Sequence, residues 1–371
     1  MGMLANANSV KNKKKILIVD DSALMRRVMC DIINSDERFQ VVEQAFDGEA
    51  AYALLKKNQY DGVVLDVNMP KINGIQLLRI LQKDKIRVRI MMASTDTREG
   101  ASVTMEALDL GAIDFIEKPA NIVYLKGDEF KKKFLDILQA VVTSRQTNIS
   151  SLPVIPRQKQ EENTKKLVSL VRKSAPVVGG QKLVALACST GGPKALQNVI
   201  PRLPAELAAP VLIVQHMPKG FTQSLAERLD SLSPMKVKEA AEGDVLENGT
   251  IYISMGGKHM NVVTKAGKST ITYTDEPPRE GVKPCANYMY ESLKTSNYSQ
   301  IVCVVLTGMG ADGTKGIVNL ETAKKIHVIA QDEETSTVYG MPKAIAATGL
   351  VNQVVALDDV AQEIIMNVGV R

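Results

Sequence analysis

The strongest constraint on how this chain folds is an alternation that it runs through twice: short apolar runs, each followed by a stretch of helical spacing. In the first pass, ILIV (16–19) precedes Leu24, Met25, Val28, Met29, Ile32 and Ile33 at helical intervals. VVEQAF (41–46) precedes EAAYALLKKN, GVVL (62–65) precedes GIQLLRILQKD, and RIMMAS (89–94) and DFIE (114–117) complete five strand candidates. In the second pass, LVALAC (183–188), VLIV (211–214), IVCVVL (301–306) and HVIA (327–330) repeat the pattern. Strand–helix–strand units in series build a parallel sheet covered by helices. TIYIS (250–254) and STITYT (269–274), with the glycine-rich GGKH and KAGK turns, read as a β-hairpin insertion. The expectation is two α/β domains. The first holds a five-stranded parallel sheet, the second a doubly wound, mostly parallel sheet carrying the hairpin.

Residues 143–181 interrupt the alternation with three prolines (Pro153, Pro156, Pro176), many polar residues and the Gly179-Gly180 pair. This marks an interdomain linker, with a short helix expected around Lys165–Lys173. The expected boundaries are a first domain over 15–140, a linker over 141–181 and a second domain over 182–371. The length of 371 residues suits two domains. Charge divides in the same way. The net charge is +5, yet residues 1–19 carry +4 and residues 141–182 carry +6, so the remainder is mildly acidic. With no tryptophan and no basic stripe along an amphipathic helix, this speaks against a nucleic-acid partner, and both basic segments read as solvated charge runs. Four scattered cysteines (Cys30, Cys188, Cys285, Cys303) lack metal or disulfide spacing, which fits reduced thiols in a cytoplasmic protein. MGMLANA does not form a signal peptide, and Asn6 stands where N-myristoylation wants a hydroxyl residue. No apolar run reaches bilayer length, so no membrane insertion is expected.

Parallel α/β sheets place their sites at the carboxyl ends of the strands. There the first domain offers Asp20 and Asp21 after its first strand, Asp66 after the third, Ser94 after the fourth and Lys118 after the fifth. Gathered carboxylates repel unless a hard divalent cation such as Mg2+ joins them. One carboxylate can then attack a phosphoryl group to form an aspartyl phosphate, with Lys118 and Ser94 contacting the phosphoryl oxygens. A new dianion at that place is a switch. A lone aspartate at a strand end is more often a helix cap, and Asp21 or Ser22 could serve the first helix in that way; five such residues in this order outweigh that reading. ILIVDDSALMRRVM, LDVNMPKINGIQLL, MMAST and GAIDFIEKP closely resemble response-regulator receiver domains over about residues 15–140. The resemblance implies a flavodoxin-like fold with Asp66 as phosphoacceptor and a histidine kinase as phosphodonor. It also implies Mg2+ held by Asp20, Asp21, Asp66 and the Asn68 backbone carbonyl, and signalling through Ser94 and Lys118.

A histidine base in the second domain would be one of three: His216, His259 or His327. His327 falls in a strand pattern, which suits a structural role. His259 falls in a glycine-rich turn, and His216 follows VLIVQ directly, at the end of a buried strand. LVALAC leads into Ser189-Thr190-Gly191-Gly192 and then Pro193, at an expected first helical turn. A serine there lies beside the positive end of a helix dipole and free N–H groups that could hold an oxyanion. Ser189 or Thr190 could instead cap the helix, or the glycines could cradle a phosphate, although neither GxGxxG nor GK[ST] is present. The GxSxG elbow fails at Ala187. LTGMGADG (306–313) puts Asp312 in a glycine-rich turn after IVCVVL, where it could orient His216. Cys188 is a competing nucleophile, but as the last residue of an apolar run it is expected to be buried and inert.

ACSTGGPKAL, QHMPKGFTQSLAERL, GDVLENGTIYIS, LTGMGADG and QDEETSTVYGMPKAIAATG, in this order over about residues 182–365, resemble the catalytic domain of the chemotaxis protein-glutamate methylesterase family, CheB. Receiver, linker and this domain follow that family's arrangement. The resemblance implies Ser189 as nucleophile, His216 as base and Asp312 as orienting acid. Backbone donors of the Ser189 turn, at Thr190, and the Met309 N–H would form the oxyanion site, with no cofactor in this domain. It implies receiver-activated hydrolysis of glutamyl γ-methyl esters, and glutamine deamidation, on methylated chemoreceptors. Two stretches depart from the pattern. Ala187 and Cys188 replace the usual glycine and alanine, and Lys283-Pro284-Cys285-Ala286-Asn287 stands where a segment close to RPSVD is usual. The second departure leaves a catalytically weak, phospho-regulated adaptor as the alternative. A DNA-binding response regulator would need a helix-turn-helix output, and residues 182–371 read as α/β instead.

Overall fold

The structure, a computed structural model, describes residues 13–95, 97–119, 127–145 and 180–371. They form two compact units, each built on its own parallel sheet. The expected helix near Lys165–Lys173 lies outside the described residues.

Over residues 13–143 the elements run β1 (Lys14–Val19), α1 (Ala23–Asn34), β2 (Phe39–Ala45), α2 (Gly48–Lys57), β3 (Gly62–Asp66), α3 (Gly74–Lys83), β4 (Ile90–Thr95), α4 (Arg98–Asp109), β5 (Asp114–Lys118) and α5 (Asp128–Thr143). The strands pair in parallel in the order β2-β1-β3-β4-β5. All five residues of β3 are buried, as suits a strand covered on both faces. Helices begin where short polar side chains take the first free N–H groups. Ser22 accepts from the Met25 N–H at 3.3 Å, and Asn73 with Gln76 closes a capping box before α3. The capping role considered for Asp21 or Ser22 thus falls to Ser22. The strand order reverses between β1 and β3, and such a switch point opens a crevice beyond the strand ends. Asp20 and Asp66 stand on its two sides.

The second unit runs β6 (Lys182–Cys188), α6 (Gly192–Val199), β7 (Val211–Gln215), α7 (Phe221–Leu232), β8 (Lys236–Glu239), β9 (Thr250–Ile253), β10 (His259–Lys265), β11 (Lys268–Thr274), α8 (Ala286–Ser292), β12 (Gln300–Val305), α9 (Thr314–Glu321), β13 (Lys325–Gln331), α10 (Met341–Ala346), β14 (Gln353–Val355) and α11 (Val360–Val368). Seven strands form one sheet in the order β14-β13-β12-β6-β7-β9-β8, with every neighbouring pair parallel. The chain adds β7, β9 and β8 on one side of β6 and β12, β13 and β14 on the other. The order therefore reverses between β6 and β12, and the loops after these two strands flank the crevice.

The hairpin exists, but with different partners from those expected. TIYIS does not pair with STITYT: β9 joins the main sheet between β7 and β8, and β11 pairs with β10 from His259–Thr274 to Lys265–Lys268. All four residues of β9 are buried, which suits a strand with neighbours on both edges. β10 and β11 place Met260, Val262 and Ile271 in the core and leave Asn261, Val263, Thr270 and Thr272 half-buried on the alternate positions. Their two-residue turn, Ala266-Gly267, has φ of 49° and 76°, the positive values that such a turn requires. His259 consequently begins a strand and is buried, where a turn position was expected. No helix among the described residues is long and apolar enough to cross a membrane.

Candidate active site

Ser189 follows β6, His216 follows β7, and Asp312 lies in the loop after β12. Cys188 is paired with Gln215, so Ser189 and His216 leave adjacent strands at the same level, and the His216 N–H donates to the Cys188 carbonyl at 3.2 Å. On the other side the Ser189 N–H donates to the Thr307 carbonyl at 3.0 Å, and the Thr307 hydroxyl donates to the Thr190 carbonyl at 2.9 Å. The chain comes so close at Gly308 that a Cβ there would lie 2.8 Å from the Ser189 Cβ and 2.3 Å from the Met341 sulfur. Only glycine fits this step of LTGMG. The residue before α6 is Gly191, at φ +77°, and no side chain caps that helix. Capping therefore does not occupy the Ser189 hydroxyl. Among the described residues, no protein hydrogen bond engages that hydroxyl, nor the N–H groups of Thr190 and Met309.

Asp312 is 3% exposed and accepts five hydrogen bonds. Its Oδ2 takes His216 Nε2 at 2.7 Å and the Ala286 N–H at 2.6 Å. Its Oδ1 takes Cys285 Sγ at 3.0 Å, the Asn287 N–H at 3.1 Å and the Gly313 N–H at 2.7 Å. Burial alone would push this carboxyl up. The His216 contact, followed by the Cys285 and Ala286 donors, outweighs burial and draws it down to about 2. A carboxylate only accepts, so the His216 proton belongs on Nε2 and the lone pair on Nδ1. No hydrogen bond joins Ser189 to His216. The two stand at adjacent strand ends with Oγ and Nδ1 unengaged, and contacts of this kind often tighten only around substrate.

The rival residues have other occupations. Cys188 is fully buried, burial pushes its thiol far up, and its Sγ donates to Gln215 Oε1 at 3.0 Å. His327, inside β13, meets Gln353 Oε1 at 2.8 Å through Nε2. His259 holds the Pro277 carbonyl and the Cys285 N–H, each at 3.2 Å.

In the first unit, Asp20, Asp21 and Asp66 each bring one carboxylate oxygen within 4.8 Å of the others. Lys118 Nζ lies 2.7 Å from Asp66 and 2.9 Å from Asp20. Burial pushes Asp66 up to about 6; Lys118 opposes the rise and the Asp20 charge adds to it. Burial also disfavours the Lys118 ammonium, but the two carboxylates hold it above its usual range. Arg26 fixes the turn by donating to the Asp20 and Asp21 carbonyls at 2.8 and 3.1 Å. Asn68 reaches the Asp66 carboxylate with its backbone N–H. Ser94 is buried one residue beyond Ala93, the register partner of Asp66. The structure thus gathers Asp20, Asp21, Asp66, Asn68, Ser94 and Lys118 at one sheet edge.

Comparison with known proteins finds a family match for each half of the chain. The family described as CheB methylesterase matches residues 184–364, and the response regulator receiver domain family matches residues 16–127. A protein-glutamate methylesterase/protein-glutamine glutaminase of Pyrococcus horikoshii is 42% identical over 95% of this chain and 93% of its own length. Proteins of the same description from Geobacillus kaustophilus and Bacillus subtilis are 39% and 37% identical, over 96% and 94% of this chain and 99% and 97% of their own. The chain belongs to the CheB methylesterase family.

Around the CheB-type cluster, the sequence marks the supporting residues only weakly. Thr307 ties the ends of β6 and β12 together, and Gln215 Nε2 donates to the Ser189 carbonyl at 3.0 Å. Gln215 had one available signal, a polar residue closing the apolar run VLIVQ. Cys285 and His259 stood out only as part of a departure from the family pattern and as a candidate base, because the Cys285–Asp312 and His259–Cys285 contacts cross 27 and 26 positions of sequence.

Proposed function

We propose that this chain is a phosphorylation-activated protein-glutamate methylesterase, with glutamine deamidation as a second activity of the same site. Ser189 is the nucleophile, His216 the base and Asp312 the orienting acid. The observation that carries this reading is the Asp312 carboxylate, held low by its donors and bonded to His216 Nε2, beside an unengaged serine on the neighbouring strand end. Ser189 Oγ bonds to the γ-carbonyl carbon of a methylated glutamate as its proton passes to His216 Nδ1. The carbonyl oxygen becomes anionic and takes the Thr190 and Met309 N–H groups, each worth about 3–4 kcal/mol of barrier. The C–OCH3 bond breaks, the methoxy oxygen takes the proton from Nδ1, and methanol leaves. Water then gives a proton to Nδ1 and its oxygen to the acyl carbon. Ser189 leaves with that proton, and free glutamate remains. With glutamine the leaving group is ammonia.

The receiver spans 15–140, the linker 141–181 and the hydrolytic domain 182–371. Asp66 accepts a phosphoryl group from a chemotaxis histidine kinase, Lys118 pairs with a phosphoryl oxygen, and Ser94 contacts another. Three carboxylate oxygens within 4.8 Å form an all-oxygen donor set, and the crowding that raises Asp66 is of the kind that a hard cation relieves. Asp20, Asp21, Asp66 and the Asn68 carbonyl would hold Mg2+, which supplies charge neutralisation for the phosphoryl group when bound. The substrates are methylated chemoreceptors, met from the cytoplasmic side.

Methanol release from methylated receptor membranes tests the reading. Wild type releases methanol, faster with Mg2+ and a small phosphoryl donor, and Ser189→Ala does not. Well-folded wild type without release under any condition would favour the adaptor.

A further inference from the structure

The segment that departs from the family's usual pattern is the one that grips Asp312. Cys285 contributes its thiol, and the two residues after it contribute their N–H groups, at 3.0, 2.6 and 3.1 Å. The position of Cys285 is itself set by His259. A backbone N–H can only donate and a backbone carbonyl can only accept. With the Cys285 N–H on Nδ1 and the Pro277 carbonyl on Nε2, the imidazole must be neutral with its proton on Nε2. A second proton would sit on Nδ1, against the Cys285 N–H.

The surroundings keep that proton off. His259 is fully buried, with the Tyr288 ring of α8 4.3 Å away between centroids. The charged groups near it are Asp275, Glu276 and Lys283, all from the loop between β11 and α8. Burial foremost, with Lys283, holds the imidazole below the usual histidine range against the Pro277 carbonyl and Glu276. The far end of the segment is also tied, since Asn287 Oδ1 accepts the Gly316 N–H at 2.6 Å and joins α8 to α9 beyond Asp312. Cys285 is buried and its thiol is pushed far up, so it is a donor and not a nucleophile.

We propose that Cys285, seated by His259, is a positioning residue for the hydrolytic site: its thiol and the N–H groups of Ala286 and Asn287 hold Asp312 against His216. The proposal rests on Asp312 belonging to the Ser189–His216–Asp312 triad. Cys285 acts through Asp312 and does not touch substrate, so its loss should lower kcat and leave KM alone.

The test uses the full chain, with methanol release giving kcat and KM, and 15N-histidine spectra giving tautomers. Three histidines in the chain make the spectra assignable by single replacement. Cys285→Ala is expected to lower kcat about tenfold with KM within about twofold, and Cys285→Ser, which restores a donor, to recover most of the loss. In wild type, His259 should give the neutral Nε2–H pattern and keep it below the pH at which a free histidine takes up its proton. The His216 Nε2–H resonance should shift in both Cys285 variants, so Cys285→Ser still decides the matter if Cys285→Ala does not fold. An unchanged kcat in Cys285→Ala, an unmoved His216 resonance, or a His259 protonated on Nδ1 at neutral pH overturns the proposal while Ser189→Ala still abolishes release. Release that survives Ser189→Ala sinks the triad reading instead.

Discussion

Two buried aspartates at the carboxyl ends of parallel strands answer the same problem in opposite ways. Asp66, 4% exposed, ends β3 beside a second carboxylate, with Lys118 as the cation between them. Asp312, 3% exposed, lies beyond β12 and is filled with donors: a ring nitrogen, a thiol and three backbone N–H groups. Burial pushes both upward; Asp66 rises to about 6 while Asp312 falls to about 2. The donors, not the burial, decide. Asp312 is built to stay an anion and hold a proton in place on His216. Asp66 shares the Lys118 cation with Asp20, which suits the phosphoacceptor role proposed for it.

The largest expected effect comes from removing the permanent anion. Asp312→Asn keeps the shape but can present an N–H to Nε2 and favour the wrong tautomer, so kcat for methanol release should fall about 10^4-fold. A fall below tenfold would mean that the backbone donors around Asp312 do not serve His216. The next effect belongs to the other aspartate. Lys118→Met leaves Asp20 and Asp66 facing each other without a cation, and the receiver should lose about 3 kcal/mol in urea unfolding with chelator present. Mg2+ should restore part of it; a loss indifferent to Mg2+ would break the contrast.

The pH dependence of stability separates the two further. Asp312 has a folded value of about 2 against an ordinary 3.8, so it is lowered on folding. Its contribution, about 2 kcal/mol, is fully present above pH 3.8 and disappears as pH falls through about 2. The stability gap between wild type and Asp312→Asn should therefore narrow across that window and stay flat above it. A gap that narrows already between pH 7 and 5 would contradict the assignment. The smallest effect is expected at Cys188→Ser, where a hydroxyl can still donate to Gln215. Its kcat should change by less than about threefold, and a loss as deep as that of Ser189→Ala would return the thiol to contention as nucleophile.

Much of this contrast could be read from sequence, and the reason is local. Asp20, Asp21, Asp66, Ser189 and His216 each end an apolar run or follow it within two residues, so strand periodicity alone puts them at strand ends. Asp312 follows IVCVVL within a glycine-rich stretch whose close approach to Ser189 at Gly308 explains the glycines. What escaped depends on partners far apart in the chain. TIYIS and STITYT both look like strands, and nothing local tells that one enters the sheet while the other pairs with β10. The setting of Asp312 also escaped, because Cys285 meets Asp312, and His259 meets Cys285, only after the loop before α8 folds back beside β10. Single-sequence patterns locate groups along a strand; they do not say how many donors will surround a carboxylate.

The most direct test measures initial methanol release from methylated receptor membranes for wild type, Asp66→Asn and Asp312→Asn, each with and without Mg2+ and a small phosphoryl donor. The account predicts that wild type accelerates with the donor, that Asp66→Asn loses that acceleration, and that Asp312→Asn is slow in both conditions. Acceleration that persists in Asp66→Asn, or a near-normal rate in Asp312→Asn, would contradict it.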